Sequence, residues 1–376
     1  MIDSETLVGT GLRITVAKDE LAAKLATVAR GVSTRTTVLV LGGIQLRAEA
    51  GQLHLAATDM EVSLRATVEA QIADEGTVVV PGKLLLDIAR SLPDSEVTIE
   101  HKPEEAVVVV TAGTANYRLH TYSSEDFPRL PEIENTGLHG IDREALVETV
   151  ARVGRSASRD ESRPVLTGIL VRFEPGKIVM AATDSYRLAV KETPVEGTLP
   201  ELEAIIPARA LQELARIAGT ADEIQLGLQE NHVVFGAEGT WLTTRRIDGQ
   251  FPNYRQLLPE QFEYELALPR EELLEVVRRV SLMAQRNSPL RLRFAEGELT
   301  VSAVTQDVGE ARESLPAPYT GDPMEIGFNA EFLRDGLDSV DSETIKFKLI
   351  SPLRPAVLEG ESDDYVYLIM PIRLAG

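Results

Sequence analysis

The residues first to be weighed for chemistry in this 376-residue chain are five histidines, two Thr-Asp pairs and two short glycine-containing segments. His54, His101, His120, His139 and His232 stand singly on expected strands or in a linker, without the i, i+4 or short-loop spacing that brings imidazoles onto one metal. They read as packing or edge residues. No cysteine is present, which removes disulfides, thiolate zinc sites, iron–sulfur clusters and a thiol nucleophile together. Gly9-Thr10-Gly11 lacks the third glycine of a dinucleotide loop and precedes a strand, and Pro81-Gly82-Lys83 lacks the first glycine of a phosphate loop. Thr58-Asp59 and Thr183-Asp184 could pair a hydroxyl with an acid, but they recur at one point of two similar segments. That recurrence argues for a shared turn in which Asp accepts from local backbone N–H groups. The residues thus offer no active site, and they imply no metal and no cofactor.

The elements that carry these residues repeat three times at a spacing of about 125 residues. A helix with apolar positions at i, i+4 and i+7 occurs as Leu21, Leu25, Val28, as Leu146, Val150, Val153, and as Leu273, Val277, Val280. An apolar strand running into a second helix occurs as Val78-Val79-Val80-Pro81, Ala204-Ile205-Ile206-Pro207 and Glu325-Ile326-Gly327-Phe328. Four residues on comes Leu85, Leu211 or Phe332, and eight on a small residue, Ala89, Ala215 or Gly336. Hairpins are expected at Ala50-Gly51, Pro175-Gly176 and Glu296-Gly297, each between strands of alternating hydrophobicity. Such alternation implies antiparallel sheets with one face buried under the two helices, so each repeat is an α+β unit. Pro-rich linkers at 127–139 and 251–259 separate the units, giving expected domains at 1–135, 140–258 and 259–376.

The formal charge of −21 argues at first against nucleic acid. The sum hides the distribution, which fits either a weakly basic helical surface or ordinary solvated helix faces of mixed charge. Helices expected at 17–35, 83–92, 141–163, 207–218, 269–286 and 329–341 carry a net charge of +2 together, which leaves −23 for the remaining residues. No apolar run reaches the roughly 18 residues of a membrane span, and Asp3, Glu5, Asp19 and Glu20 do not suit a signal peptide. A cytoplasmic protein is expected.

Several segments in unbroken order over residues 12–374 resemble the beta subunit of the bacterial replicative DNA polymerase, the sliding-clamp family. They are Ala182-Thr183-Asp184-Ser185-Tyr186-Arg187-Leu188, the linker Phe251-Pro252-Asn253-Tyr254-Arg255-Gln256-Leu257-Leu258-Pro259, Gly327-Phe328-Asn329, and the closing Tyr367 to Leu374. The resemblance implies a head-to-tail homodimer closed into a ring of six domains, with helices lining the hole and sheets outside. It would act as a non-catalytic processivity factor, with double-stranded DNA, the polymerase catalytic subunit, the clamp loader and other proteins carrying a clamp-binding motif as partners. A weakly basic lining in an acidic shell suits a ring that slides and is retained by encirclement.

By the same resemblance Arg35, Lys83, Arg152, Arg155, Arg159, Arg163, Arg209, Arg278 and Arg279 face DNA, with Arg152, Arg155, Arg159 and Arg163 expected on one stripe of the helix at 141–163. A partner-peptide groove between the second and third domains is walled by Leu166, Thr183, Ser185, Tyr186, Arg187, Leu188, Pro252, Gln256, Leu257, Asn329, Phe332, Leu353, Leu368, Ile369, Met370, Pro371, Ile372 and Arg373. Ser185-Tyr186 replaces the Gly-His common in the family, and Ala375-Gly376 extends the usual ending, so peptide preference is open at both places. Tyr117, Leu119 and Leu282 are expected at the dimer seam. The acidic helix at 329–341 is assigned no DNA contact. The alternative reading is a duplicated, clamp-like scaffold without a replicative role, such as a drug-resistance paralogue.

Overall fold

The computed structural model describes residues 11–33, 37–93, 95–133, 137–196, 202–229, 231–284, 288–362 and 364–374. The first repeat runs β1 (Arg13–Ala17), α1 (Lys18–Val28), β2 (Gly43–Glu49), β3 (Gln52–Thr58), β4 (Val62–Glu69), β5 (Gln71–Asp74), β6 (Gly76–Pro81), α2 (Gly82–Ser91), β7 (Glu96–Lys102), β8 (Val107–Ala112) and β9 (Ala115–His120). The second runs β10 (His139–Asp142), α3 (Arg143–Gly154), a single turn α4 (Pro164–Thr167), β11 (Gly168–Glu174), β12 (Lys177–Thr183), β13 (Arg187–Pro194), β14 (Leu202–Pro207), α5 (Ala208–Ile217), β15 (Glu223–Leu228), β16 (His232–Ala237) and β17 (Thr240–Arg245). In the third come β18 (Tyr264–Pro269), α6 (Arg270–Ser281), β19 (Leu290–Ala295), β20 (Glu298–Thr305), β21 (Gly309–Pro316), β22 (Met324–Phe328), α7 (Ala330–Ser339), β23 (Thr344–Leu349), β24 (Ala356–Glu359) and β25 (Tyr365–Ile369). Apart from β5 and α4 the three orders coincide, and all three expected hairpins form.

The sheets do not respect the repeats. Their orders are β5-β1-β7-β8-β9, β10-β15-β16-β17-β4-β3-β2-β6, β14-β11-β12-β13-β25-β24-β23-β18 and β21-β20-β19-β22. Every strand pairing among the described residues is antiparallel, and β4 joins β17 as β13 joins β25. Because the middle repeat gives one sheet to each neighbour, the chain forms two compact units, residues 1–143 with 213–246 and residues 144–212 with 247–376.

In the first unit the helix positions read from the sequence are the core: Leu21, Leu25 and Val28 of α1 and Leu85 and Ala89 of α2 pack on Ile14, Leu46, Leu55, Val80 and Val97. In the second, Leu273, Val277 and Val280 of α6 and Leu333 and Leu337 of α7 pack on Phe294, Phe328, Phe347 and Tyr367. Gly336 lets α7 approach the sheet, since a Cβ there would sit 2.5 Å from the Tyr367 ring.

Three helices are shorter than their patterns predict, α6 by ending at Ser281 and not near 286. α1 ends at Val28 with one 3-10 turn, Ala29–Gly31, so it stops short of Arg35, which lies outside the described residues. α3 ends at Gly154, not near 163. Beyond it, the Ser158 hydroxyl accepts from Asp160 N at 3.1 Å, Asp160 accepts from Ser162 N at 3.0 Å, and Ser158 N donates to Leu166 O at 2.8 Å. Short polar side chains that bond nearby backbone compete with helical bonding. The stripe of four arginines therefore does not exist: only Arg152 lies on the helix.

Candidate functional site

The Thr-Asp pairs build the same turn twice, at β3–β4 and at β12–β13. Asp59 Oδ1 accepts from Glu61 N at 3.1 Å and Val62 N at 2.9 Å, and Asp184 Oδ1 from Tyr186 N at 2.9 Å and Arg187 N at 3.0 Å. Thr58 and Thr183 close each turn by donating to Val62 O and Arg187 O, at 3.0 and 2.6 Å. The residue after Asp is left-handed in both, Met60 at φ 80° and Ser185 at φ 79°.

The second turn carries a buried cation. Arg187 begins β13, is 6% exposed, and donates from Nη1 to Asp335 at 2.6 Å and from Nε to Asp184 at 3.2 Å. Its guanidinium also reaches Arg155 O and the Tyr367 hydroxyl, and lies 4.3 Å from the centre of the Phe332 ring. Burial works against this charge, yet the field and hydrogen bonds of Tyr367 and Asp335, with Asp184 beside them, hold its pKa above the ordinary guanidinium value.

Around this centre the expected groove residues divide by burial. β13 pairs with β25 so that Leu188 faces Leu368, and the pair packs with Leu170, Val179, Tyr254 and Val357 in a small core. Leu166 and Thr183 are also buried. Tyr186, Leu257, Leu353, Met370 and Ile372 expose their apolar side chains, and Met370 N donates to Tyr186 O at 2.8 Å. Leu257 follows the buried Tyr254, and Leu353 precedes β24, which places Val357 in the same core. Ser185, Pro252, Gln256 and Arg373 are exposed and Pro371 is half-buried. Two expected wall residues are committed elsewhere. Ile369 is fully buried in the core beneath α6 and α7, because alternate side chains of a strand point to opposite faces. Asn329 caps α7, its Oδ1 accepting from Phe332 N at 3.1 Å.

Most of the arginines expected to face DNA are paired within the chain. Arg152 meets Glu148 at 2.7 Å and Asp341 at 2.9 Å, and Arg155 meets Asp338 at 3.2 Å and Asp335 at 4.0 Å. Arg163 reaches Asp160 at 3.2 Å and the Ser185 hydroxyl at 2.9 Å, which ties it to the turn. Arg278 meets Glu275 at 2.7 Å and Asp338 at 3.0 Å, and Arg279 meets Glu313 at 2.8 Å and Glu275 at 3.7 Å. Lys83, Arg159 and Arg209 are exposed. The acidity of α7, unexplained by sequence, now has a cause: Asp335 and Asp338 on the helix and Asp341 just past it, spaced by three, face arginines of the second and third repeats. The i, i+3, i+6 spacing was a visible signal, but its partners are remote in sequence.

Three family models match in order: the N-terminal domain of the DNA polymerase III beta subunit at residues 12–131, the central domain at 140–253 and the C-terminal domain at 255–373. The chain belongs to the DNA polymerase III beta subunit family of sliding clamps. Among its relatives, the beta sliding clamp of Streptomyces coelicolor is 38% identical over 97% of this chain and 100% of its own length. That of Synechococcus elongatus is 34% identical over 96% and 100%. The crystal structure of the Pseudomonas aeruginosa beta subunit superposes with a TM-score of 0.89 at 30% identity, covering 96% of this chain and 100% of that one. The clamp thus has three α+β domains with antiparallel sheets, and its relatives are sliding clamps, which accords with the lack of catalytic motifs read from the sequence.

At the expected seam of the clamp, Tyr117 on β9 is exposed, whereas Leu119 is 2% exposed and packs in the core of the first unit. Leu282, just after α6, is 81% exposed. β9 and β21 each have a sheet neighbour on one side only among the described residues.

Proposed function

We propose that two copies of the chain close head to tail into a ring of six clamp domains that encircles duplex DNA. The ring tethers the replicative polymerase, the clamp loader and other motif-bearing proteins through the groove beside Arg187. In this reading the domains are residues 1–135, 140–258 and 259–376, whereas the central and C-terminal family models meet a few residues earlier, at 253 and 255. The observation that carries the reading is the rule of sheet continuation. The strand after each repeat's first hairpin pairs with the last strand of the following repeat, β4 with β17 and β13 with β25. The same rule applied once more asks β21 for a partner like β9, and a second copy supplies it. Unpaired strand edges are templates for such pairing, and a heterologous contact that repeats closes into a ring when the rotation allows.

Apolar side chains at Tyr186, Leu257, Leu353, Met370 and Ile372 over a buried floor suit an anchor pocket for a short peptide. The test is topological. Protein placed on nicked circular DNA by a clamp loader is retained, and cutting the circle releases it; equal loss from circles and linear DNA overturns the reading. Met370→Ala is expected to weaken polymerase-derived peptide binding about 10-fold, as for a truncated anchor side chain, with the fold intact. The duplicated-scaffold alternative predicts no retention on circles.

A further inference from the structure

Asp338 lies between two guanidiniums that come from different domains. Its Oδ2 is 3.2 Å from Arg155 Nη1 and its Oδ1 is 3.0 Å from Arg278 Nη2. The carboxylate is 25% exposed, while both arginines remain nearly half-exposed, at 46% and 43% of their side chains. Two oxygens of one anion, each held by a guanidinium reachable from solvent, reproduce how a backbone phosphate is gripped. Among the described residues Asp341 meets only the largely buried Arg152, while Glu275 also reaches Arg278 at 2.7 Å and Asp335 lies 4.0 Å from Arg155.

We propose that Asp338 serves as a built-in phosphate mimic that restrains the clamp's grip on DNA: it occupies Arg155 and Arg278, so that a passing phosphate must displace it. The inference rests on the reading that the ring encircles duplex DNA. Free guanidiniums would each capture a phosphate and release its counterion, making binding tight and strongly salt-dependent. Arginines already neutralised exchange one anion for another, release little, and let the duplex move from phosphate to phosphate. A sliding ring gains from this, because each phosphate held firmly is a barrier to translocation. The acidic α7 is then part of the sliding surface although it touches DNA only through the arginines it holds.

The experiment compares the full-length chain with Asp338→Asn on a short linear duplex, by fluorescence anisotropy between 50 and 200 mM salt. Each freed arginine that takes a phosphate adds about 0.9 to the slope of log K against log salt. With one or two freed, the variant's affinity is expected to fall about 3- to 12-fold more steeply over that range than the wild type's, and its diffusion along DNA to slow. Adding Arg155→Gln and Arg278→Gln to the variant is expected to restore the shallow slope. A purely structural role for Asp338 would move thermal stability and leave the slope alone, and that result overturns the proposal. Arg155→Gln by itself gives an independent check that keeps Asp338 intact: a loss of the full 0.9 from the wild-type slope would mean that Arg155 already grips DNA unhindered, which also overturns it. Wild-type retention on nicked circles, measured alongside, separates the two failures. Loss of retention defeats the encircling reading, whereas retention with an unchanged slope defeats only this one.

Discussion

Asp335→Ala and Asp341→Ala remove carboxylates six residues apart, the first on α7 and the second just past its end, and should differ widely in cost. Asp335 is 15% exposed and faces the 6%-exposed Arg187 at 2.6 Å, whereas Asp341 is 81% exposed and faces Arg152 at 2.9 Å. Removing one partner of a buried pair leaves an uncompensated charge, at about 3–5 kcal/mol. Asp184, at 3.2 Å from Nε, still serves Arg187, so the lower end, about 3 kcal/mol, is expected. The exposed pair is worth less than about 1 kcal/mol, since water and salt already screen it. Native-state hydrogen exchange reads both at the β13–β25 ladder, where Arg187 opposes Ile369. At a factor of ten per 1.4 kcal/mol, Asp335→Ala should speed exchange there about 150-fold and Asp341→Ala less than about 5-fold. Arg187→Met combined with Asp335→Leu should recover most of the loss, because an apolar pair needs no charge compensation. Similar exchange in the two single variants would show that Arg187 is not held as described.

At the seam, Leu282→Asp puts a charge on the 81%-exposed side chain expected to be buried by a second copy, and sedimentation velocity should find monomers at micromolar concentration where the wild type dimerises. An unchanged dimer would remove Leu282 from the interface. Acid should weaken the fold in two steps. His54, His101 and His232 have pKa values depressed chiefly by burial, so they favour the folded state when neutral, and that contribution is lost as pH falls through about 6.5. Burial opposes the charge of Glu213 and Asp364, but Arg30 with Arg216, and Lys191 with Ser362, hold both below the ordinary carboxylate range. Their contribution is present above about pH 4.5 and is lost below it. Chemical denaturation at pH 7.5, 5.5 and 3.5 should show stability declining at each step, and a rise on acidification would contradict the sign.

Much of this architecture was legible in the chain because it depends on neighbours in sequence. The i, i+4, i+7 triads Leu21-Leu25-Val28, Leu146-Val150-Val153 and Leu273-Val277-Val280 are all buried, the glycine hairpins form, and Asp59 and Asp184 bond backbone two and three residues on. Helix ends were harder to read, because α3 stops where serine and aspartate side chains take over backbone bonding, although the charge pattern through Arg163 continues a helical period. For the residues expected to wall the groove, which way each strand side chain points was not readable: Leu368 faces the small core around Leu188 and Tyr254, and Ile369 the core beneath α6 and α7.

The amino-acid sequence by itself determined three like domains, their hairpins and turns, and the absence of cysteine chemistry, because local bonding and hydrophobic periodicity suffice for those. Only the tertiary structure decided that β4 meets β17 and β13 meets β25, and that α7's acids meet arginines of other segments. Arg187 and Asp335 are 148 residues apart, Arg152 and Asp341 are 189 apart, and charges so distant along the chain acquire partners only when folding brings their segments together.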